Sequence, residues 1–302
     1  MIAAYDLMAL GAAVCWASGS VLAVAPLRHL GAFAFTRWRM FLLALLLWLI
    51  TLVAAPLGGW QSLPSDAWGL MALSGLIGIF IGDTALFGAM NRLGPRRSGV
   101  LFATHAVFSA VLGYWLLGER MGLQAALGGL LTVAGVMAAI LLGRRRDDDH
   151  AWEADHGPVV MGVVLGLLAA LCQAVASLIV KPVMADPAVD PIAASAVRVS
   201  VAAALHFVLL WGGFAPARAH TRATLGVLAQ TGINGFISMG LGMTLVLMAL
   251  RHGDVGTVAL LSSVSPVVLL PLLWLRLGRA PAPGAWLGAG LTVVGTALIL
   301  LR

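Results

Sequence analysis

The stretch Gly128–Gly135 reads GGLLTVAG, and the stretch Gly288–Gly295 reads GAGLTVVG. Both fit the pattern G-x-x-L-T-V-x-G, and the second copy begins 160 residues after the first, close to half of the 302-residue chain. Self-similarity at a fixed spacing indicates duplicated structural units. The sequence therefore predicts two repeats, at 1–143 and 158–302, joined by a polar linker at 144–157.

The composition places these repeats in a membrane. The chain is 61% hydrophobic and only 10% charged, whereas about a quarter of the residues in a soluble domain are charged. A soluble chain this poor in charge would expose apolar patches over most of its surface, and disorder would need high charge. The formal charge of +6 lies in turns between apolar runs and does not indicate nucleic-acid binding. The remaining class is an integral membrane protein.

The apolar runs predict the number of spans. A transmembrane helix needs about 20 apolar residues, and a membrane β-barrel would instead show short alternating strands. Glycines four apart, at Gly78–Gly82, Gly162–Gly166 and Gly284–Gly288, predict close helix packing. We therefore predict an all-α membrane protein with ten transmembrane helices. The apolar stretches fall at 6–25, 33–54, 68–90, 98–117, 121–142, 158–180, 191–212, 224–249, 255–275 and 284–301.

Five spans in each repeat predict the relative orientation of the two copies. A unit with an odd number of crossings ends on the opposite side, so the second copy is inverted about an axis in the membrane plane. Weaker echoes support this pairing: Trp16 and Ser20 in the first span correspond to Gln173 and Ser177 in the sixth. Inverted repeats are a transporter architecture, with the substrate site where the repeats meet near the midplane.

Residues that would indicate chemistry of another kind are few. We interpret the polar segment Arg144–His156 as a solvated linker rather than a metal site on His150 and His156. Cys15 and Cys172 lie inside apolar runs, which favours packing roles and no disulfide. No nucleotide-binding loop, zinc-protease helix or nucleophile elbow occurs. The sequence therefore predicts no cofactor, no metal site and no catalytic residue.

The basic residues are distributed unevenly between the two ends of the predicted bundle. An excess of Lys and Arg in short loops marks the cytoplasmic side. For the bacterial inner-membrane protein that we expect, this asymmetry predicts both termini outside the cytoplasm. The loops after odd-numbered spans hold Arg28, Arg37, Arg39, Arg92, Arg96, Arg97, Arg144, Arg145, Arg146, Arg218, Arg222, Arg276 and Arg279, and the opposite loops hold Arg120, Lys181, Arg251 and Arg302.

Ionisable residues inside the spans are functional candidates, because a charge at the bilayer centre costs about 3 kcal/mol or more. Asp83 is the only carboxylate well inside a span. Two interpretations stay open for it: a protonation or counter-ion site, and a pair with a nearby arginine. His105 is a candidate proton carrier, although we favour a hydrogen bond to a neighbouring helix. For Arg37 and Arg39 we favour side chains that extend to the membrane interface.

Polar residues four apart in several spans share one helix face. Interhelical hydrogen bonding would explain them, but we favour a central polar cavity because the stripes fall in equivalent helices of both repeats. Pro266 in the ninth span frees a backbone carbonyl, which is tolerable where it faces a cavity. The predicted substrate-binding residues are Trp16, Ser20, Phe80, Asp83, Phe87, His105, Gln173, Ser177, Asn234, Ser238, Ser262 and Ser265, with Asp83 and His105 also as proton-coupling candidates.

Several of these features occur together in one known family. They are Trp16 in the first span, Arg37 at the start of the second, the turn Leu116–Arg120 with the letters LLGER, the glycine-rich fifth and tenth spans, and Pro266. On these residues the whole chain resembles the EamA family of the drug/metabolite transporter superfamily. The second repeat departs from the pattern, because Leu277–Arg279 reads LGR where LGE would stand.

The resemblance implies a secondary transporter with a cavity between the repeats, lined by spans 1, 3, 4, 6, 8 and 9. We assign Glu119 no substrate role, since the second repeat lacks an equivalent glutamate. Among the members of the family, we compare this chain with the aromatic amino acid exporters. We therefore predict export of small amphipathic metabolites, with amino acids as the leading class, by alternating access. The expected partners are this small molecule and membrane lipid, with no nucleic acid, and the sequence is compatible with a monomer.

Three alternatives stay open. A deep carboxylate, Asp83, together with aromatic residues would suit efflux of lipophilic or quaternary cationic drugs. Nucleotide-sugar exchange would need cationic groups at depth, and only Arg198 is well placed. More remotely, an intramembrane enzyme could act on lipid with His105 and Asp83, although no nucleophile motif supports it. Typical family members are expected to place both termini in the cytoplasm, and for this chain we follow the arginine distribution instead.

Overall fold

The structure is a computed structural model, and it describes residues 3–53, 58–142, 158–277 and 282–301. Within these ranges every regular element is a helix and no strand occurs. Nine of the described helices are long and apolar enough to cross a membrane, and a tenth apolar helix, Leu123–Ala139, is shorter. The predicted all-α membrane fold is confirmed. The predicted linker at 144–157 and Arg279 lie outside the described residues.

The helices are numbered in chain order, and sharp turns at glycine separate several of them. Gly31, Gly94 and Gly118 have positive φ angles of 80°, 76° and 67°, a backbone that side chains other than glycine rarely adopt. The helices are α1 (Ala4–Leu30), α2 (Ala32–Val53), α3 (Ser65–Gly94), α4 (Arg97–Leu117), α5 (Leu123–Leu141), α6 (Val159–Met184), α7 (Pro191–Trp211), α8 (Leu225–His252), α9 (Val255–Ser262, continued by Ser265–Leu277) and α10 (Pro283–Leu300).

Helices α3 and α8 each contain a widened π-helical segment, Gly75–Asp83 and Gly235–Leu241. A Cβ on the first glycine of either segment would press against the backbone of an arginine, Arg198 in α7 for one and Arg39 in α2 for the other. Each π segment therefore begins where its helix meets the other repeat. Such segments occur frequently at functional sites.

Hydrogen bonds just before the π segments repeat the same relationship. The Asn234 side-chain amide donates to the Gly19 carbonyl oxygen at 2.6 Å. The Ser74 hydroxyl donates to the Ala176 carbonyl oxygen at 3.0 Å. The first bond joins α8 to α1 and the second joins α3 to α6, so in each case the partner is the first helix of the other repeat. The repeats therefore exchange equivalent contacts, as two units related by a twofold axis do.

The repeated glycine motif lies at the interface between α5 and α10. A Cβ on Gly128 would lie 2.7 Å from the Gly295 carbonyl oxygen, and a Cβ on Gly135 would lie 2.8 Å from the Gly288 carbonyl oxygen. The absence of side chains lets the two backbones approach closely. The motif that identifies the repeats in the sequence therefore also joins them in the fold.

Glycine also determines how both cysteines pack. A Cβ on Gly82 would lie 3.0 Å from the Cys172 Cβ, and a Cβ on Gly242 would lie 3.0 Å from the Cys15 Cβ. Each cysteine therefore packs against a glycine of a neighbouring helix, in agreement with the predicted packing role, and both are free. Close packing is also confirmed at Gly78–Gly82, Gly162–Gly166 and Gly284–Gly288, where an added Cβ would lie 3.0 Å or less from a neighbouring helix or its terminus.

The two ends of the bundle are packed differently. Helices α1, α3, α5, α7 and α9 finish at one end, which we call the arginine-rich end, and the even-numbered helices finish at the other, which we call the Glu119 end. One contiguous core of buried apolar side chains extends from mid-bundle to the Glu119 end. The arginine-rich end has three smaller apolar clusters instead. Because the buried apolar clusters are smaller at the arginine-rich end, there is room for a cavity there.

Candidate functional site

A central cavity of about 100 Å³ lies between the two repeats. A buried water needs about 10–15 Å³, so the cavity has room for several. Its walls extend from mid-helix toward the arginine-rich end, and they come from the six predicted helices together with α2. The polar lining residues are Ser20, Arg39, Asp83, His105, Gln173, Asn234, Ser238, Ser263 and Ser265. The larger apolar ones are Trp16, Phe87, Met90, Phe102, Met239, Met243 and Pro266.

Three predicted residues do not line this cavity: Phe80, Ser177 and Ser262. The Phe80 ring instead packs 4.9 Å from the ring of His206, because the π segment breaks the period that would place Phe80 on the face of Asp83. Ser177 donates to the Gln173 carbonyl oxygen in its own helix. Ser262 likewise bonds a backbone carbonyl within α9. The other nine predicted residues line the cavity: Trp16, Ser20, Asp83, Phe87, His105, Gln173, Asn234, Ser238 and Ser265.

A buried ion pair forms part of the cavity wall. Arg39 Nη1 donates to Asp83 Oδ2 at 2.8 Å, and Arg39 Nη2 donates to Ser238 Oγ at 3.0 Å. The guanidinium also lies 5.0 Å from the centroid of the Phe87 ring. Arg39 is only 4% exposed, so the prediction that it extends to the interface is wrong. Asp83 has the arginine partner that one of its two interpretations required, and this partner is why Arg39 stays buried.

Arg37 is also buried inside the protein, so the prediction that its side chain extends to the membrane interface is wrong. Its Nη1 donates to the Ala217 carbonyl oxygen at 2.6 Å, and the guanidinium lies 5.7 Å from the centroid of the Phe207 ring. The connection between α7 and α8 folds over the start of α2 and supplies the acceptor that water would otherwise provide. Nearby, His206, to which the sequence assigned no role, has its Nε2 3.1 Å from Thr84 Oγ1.

His105 lies where α4 is interrupted at Thr104. Its ring centroid is 6.2 Å from that of Trp16 and 5.1 Å from that of Phe102. Neither ring nitrogen has a hydrogen-bond partner among the described residues. The predicted hydrogen bond to a neighbouring helix is therefore wrong, because the interruption places the ring in an aromatic wall of the cavity.

Asn234 supplies a second unpaired polar group. Its amide nitrogen is held by Gly19, whereas no described residue donates to Asn234 Oδ1. Asn234, His105 and the ion pair all belong to the polar lining of the cavity. Aromatic and methionine side chains line the same cavity, with Phe87 beside Arg39 and Phe102 beside His105. The arrangement can hold a molecule with a polar head and an apolar body, as ligand pockets generally do.

Arg198 is the repeat counterpart of Arg39 and has a different environment. It is 1% exposed, and its Nε and Nη1 have no partner among the described residues. The positions that correspond to the two partners of Arg39 hold Met243 and Gly78, which cannot accept a hydrogen bond through a side-chain oxygen. Asp83 interacts with Arg198 electrostatically, without a hydrogen bond. The repeats therefore share one carboxylate between two buried arginines.

The model of the EamA-like transporter family matches this chain in both repeats, at residues 3–141 and 160–301. The chain belongs to the EamA-like transporter family. No curated protein matches it. A solved structure titled "Crystal structure of protein" is 18% identical and has a TM-score of 0.78, covering 100% of this chain and 98% of its own. That likeness supports the two-repeat fold alone.

In this EamA-like transporter, Glu119 joins the repeats at the end opposite the cavity. Its carboxylate accepts hydrogen bonds from the backbone N–H groups of Val255 at 2.9 Å and Gly256 at 3.3 Å. These residues begin α9, so the carboxylate caps the helix and compensates its dipole. At the same end the Lys181 ammonium donates to the Leu250 carbonyl oxygen at 2.8 Å. Glu119 is thus a structural link between the repeats.

The sequence did not predict several cavity residues, and Arg39 is the most important of them. The repeat register contained a signal, because Arg39 and Arg198 are 159 residues apart and lie in equivalent spans. Two arginines at matching depth are more typical of a functional site than of interface anchoring. Phe102, Met239 and Met243 carry no comparable signal, since apolar residues in a span face lipid, protein or a cavity with the same chemistry.

Proposed function

We propose that this EamA-like transporter is a secondary active transporter that exports small amphipathic metabolites, with amino acids, including aromatic ones, as its substrates. The family supports a drug or metabolite transporter. The observation that carries the substrate class is the buried Arg39–Asp83 pair in the wall of the cavity, with 2.8 Å between nitrogen and oxygen.

The ion pair favours a zwitterion over a ligand with one charge. A cation that binds Asp83 displaces Arg39, and an anion that binds Arg39 leaves Asp83 without its partner. Either exchange leaves a buried charge uncompensated, which costs about 3–5 kcal/mol. An amino acid brings an ammonium group for Asp83 and a carboxylate for Arg39, so both remain paired. Asn234, whose Oδ1 has no donor among the described residues, also lines the cavity.

The apolar wall favours a side chain of substantial size. Trp16 and Phe102 lie edge-to-face with centroids 6.2 Å apart, and Met239 and Met243 line the cavity beside them. Aromatic rings prefer such offset or edge-on neighbours, and thioethers also contact ring edges favourably. Together these groups fit an aromatic or long aliphatic amino acid side chain.

The mechanism that we propose is alternating access with exchange of the arginine that Asp83 binds. Asp83 ends a π segment, in which residues five apart come close to the same face, and Gly78 on that segment borders the guanidinium of Arg198. Asp83 is therefore placed to reach either arginine. In the described state it binds Arg39. We infer from the electrostatic interaction between Asp83 and Arg198 that Asp83 binds Arg198 instead when the cavity faces the Glu119 end.

The direction of transport follows from the predicted orientation. The arginine distribution predicts that the arginine-rich end is cytoplasmic, and the described cavity extends toward that end. An exporter takes up its substrate from this compartment. Proton coupling through Asp83 and His105 stays a prediction. It requires pH-dependent efflux from proteoliposomes that becomes pH-independent in Asp83→Asn, and unchanged pH dependence in that variant would remove Asp83 from the coupling.

A matched set of three ligands tests the substrate class. Phenylalanine, phenethylamine and 3-phenylpropionate share one ring and differ in carrying both charges, the positive charge only or the negative charge only. Ligand at 100 times its Kd stabilises a folded protein by about 2.7 kcal/mol. The denaturation temperature of the protein in detergent should rise with phenylalanine and with neither of the other two ligands. Labelled phenylalanine should then exchange across proteoliposomes at a rate above empty liposomes.

Other results would favour the alternatives. Stabilisation by phenethylamine and not by phenylalanine would favour cation efflux, and stabilisation by nucleotide sugars would favour their exchange. Turnover of reconstituted lipid, followed by mass spectrometry, would favour the lipid enzyme. No stabilisation by any amino acid with an apolar side chain would contradict the proposed substrate class.

A further inference from the structure

A second cavity, of about 1000 Å³, lies on the opposite face of α3 from the central one. It is a crevice between α3 and α6 near the arginine-rich end. Adjacent residues of α3 separate the two spaces, since Asp83 lines the central cavity and Thr84 lines the crevice. The crevice is therefore distinct from the proposed substrate site and carries an inference of its own.

The mouth of the crevice is cationic. Arg28 at the end of α1, Arg92 in the last turn of α3 and His220 in the connection after α7 all line it. Arg28 and His220 are exposed and Arg92 is half-buried. Arg92 Nη1 donates to the Gly88 carbonyl oxygen at 2.9 Å, and no described carboxylate pairs with either arginine. Their charges are available to a ligand.

The walls below this mouth are mostly apolar, with Thr84 and Asn91 as polar exceptions. Phe80, Leu165 and Leu168 line the crevice, and Leu168 is 39% exposed. A soluble anion would gain nothing from such walls. An acyl chain would gain from them, because its apolar surface can pack against the apolar side chains of the crevice.

We propose that this crevice binds an anionic phospholipid from the leaflet at the arginine-rich end. Its phosphate would contact Arg28 and Arg92, since guanidinium groups hold phosphate through paired hydrogen bonds. Its acyl chains would lie along α3 and α6. Basic pockets between transmembrane helices bind such head groups on the cytoplasmic side, which agrees with the predicted orientation and does not depend on the substrate class.

The test compares two lipids and one soluble analogue. The purified protein is titrated with phosphatidylglycerol, with phosphatidylcholine of the same chains, and with glycerol 3-phosphate, and binding is followed by native mass spectrometry and thermal denaturation. We expect phosphatidylglycerol to bind most tightly and to raise the denaturation temperature. Equal binding of the two lipids would overturn the proposal. Glycerol 3-phosphate acting as strongly as phosphatidylglycerol would indicate a site for soluble anions and would also overturn it.

Variants assign the binding to the crevice. Arg28→Gln combined with Arg92→Gln should weaken phosphatidylglycerol binding about 30-fold, the combined effect of two lost basic contacts. Arg28→Lys with Arg92→Lys should recover part of the binding, because the charge returns but the paired hydrogen bonds of the guanidinium do not. Arg120→Gln removes an exposed arginine at the opposite end and should leave binding unchanged. An equal loss in Arg120→Gln, or full binding in the Gln double variant, would contradict the assignment.

Discussion

Arg39 and Arg198 occupy equivalent positions in the two inverted repeats, and both are buried at comparable depth. Arg39 has a carboxylate and a hydroxyl within 3.0 Å. The positions equivalent to these two partners hold Met243, in the same repeat as Arg198, and Gly78, in the other repeat. The backbone contacts around the two arginines are nevertheless equivalent, down to the glycines that touch them. The backbone around the two arginines is thus equivalent, and the two polar partners present only at Arg39 make the halves of the site electrostatically unequal.

The two ends of the bundle show the same kind of inequality. Glu119 caps the first turn of α9 at one end. The position 160 residues later holds Arg279, which lies outside the described residues and cannot supply a carboxylate. The contiguous apolar core lies at the Glu119 end, and the cavity lies toward the other. The carboxylate cap and the contiguous apolar core therefore both lie at the Glu119 end, which is the closed end of the bundle.

The largest expected effect distinguishes the two arginines directly. Arg39→Met leaves Asp83 buried without its hydrogen-bonded partner and should lower the free energy of unfolding by about 3–5 kcal/mol. Arg198→Met removes a charge that has no such partner, so stability should stay the same or rise while transport falls. Thermal denaturation in detergent, together with proteoliposome flux, measures both quantities.

A double variant serves as the control for this comparison. Arg39→Met with Asp83→Leu removes both charges and should recover most of the stability lost in Arg39→Met, since an apolar pair can replace a buried ion pair. Equal destabilisation by Arg39→Met and Arg198→Met would contradict the assignment of Asp83 to Arg39.

A smaller effect tests the interface at which the two repeats meet. A Cβ on Gly288 would collide with the Ala139 backbone across the α5–α10 contact, whereas a Cβ on Gly290 would meet nothing within 4 Å. Gly288→Ala should therefore destabilise the protein by about 1–3 kcal/mol. Gly290→Ala, two residues away, should be neutral or stabilising because alanine favours helix. Similar denaturation temperatures for the two variants would show that α5 and α10 do not pack as described.

Much of the fold could be predicted because its determinants are local. Apolar run length sets the spans, and an odd number of spans sets the inversion. Most of the cavity could also be predicted, since polar residues four apart share a helix face wherever the helix stays regular. Phe80, Ser177 and Ser262 mark where this reasoning ends. Ser177 lies in a regular helix, but its hydroxyl bonds the Gln173 carbonyl oxygen and it does not line the cavity. Phe80 lies in a π segment and Ser262 lies just before an interruption of α9, and both features change which residues face the cavity.

The direction in which the Arg39 side chain extends could not be predicted either, and the reason is different. It depends on the depth and facing of Asp83 in another helix, and on the hydroxyl of Ser238 from the other repeat. The helical period of α2 alone carries no information about either partner. Membrane-interface anchoring is the usual outcome for an arginine one or two turns inside a span. The repeat register relates Arg39 to Arg198, but only the assembled bundle shows which groups Arg39 binds.

Moving the carboxylate from one repeat to the other provides the most direct measurement. Asp83→Met combined with Met243→Asp conserves composition and gives Arg198 the carboxylate at the position equivalent to that beside Arg39. Reporter positions are Gly99→Cys, which lines the cavity, and Ala259→Cys, its repeat counterpart in the closed core, each in a background without Cys15 and Cys172.

Labelling of each reporter by a hydrophilic thiol reagent then reports which end is open. With Asp83 in place, Gly99→Cys should react and Ala259→Cys should be protected. In the exchanged protein, with its fold verified by size-exclusion chromatography, the order should reverse. The same order in both backgrounds would contradict the claim that the arginine bound by the carboxylate determines the open end.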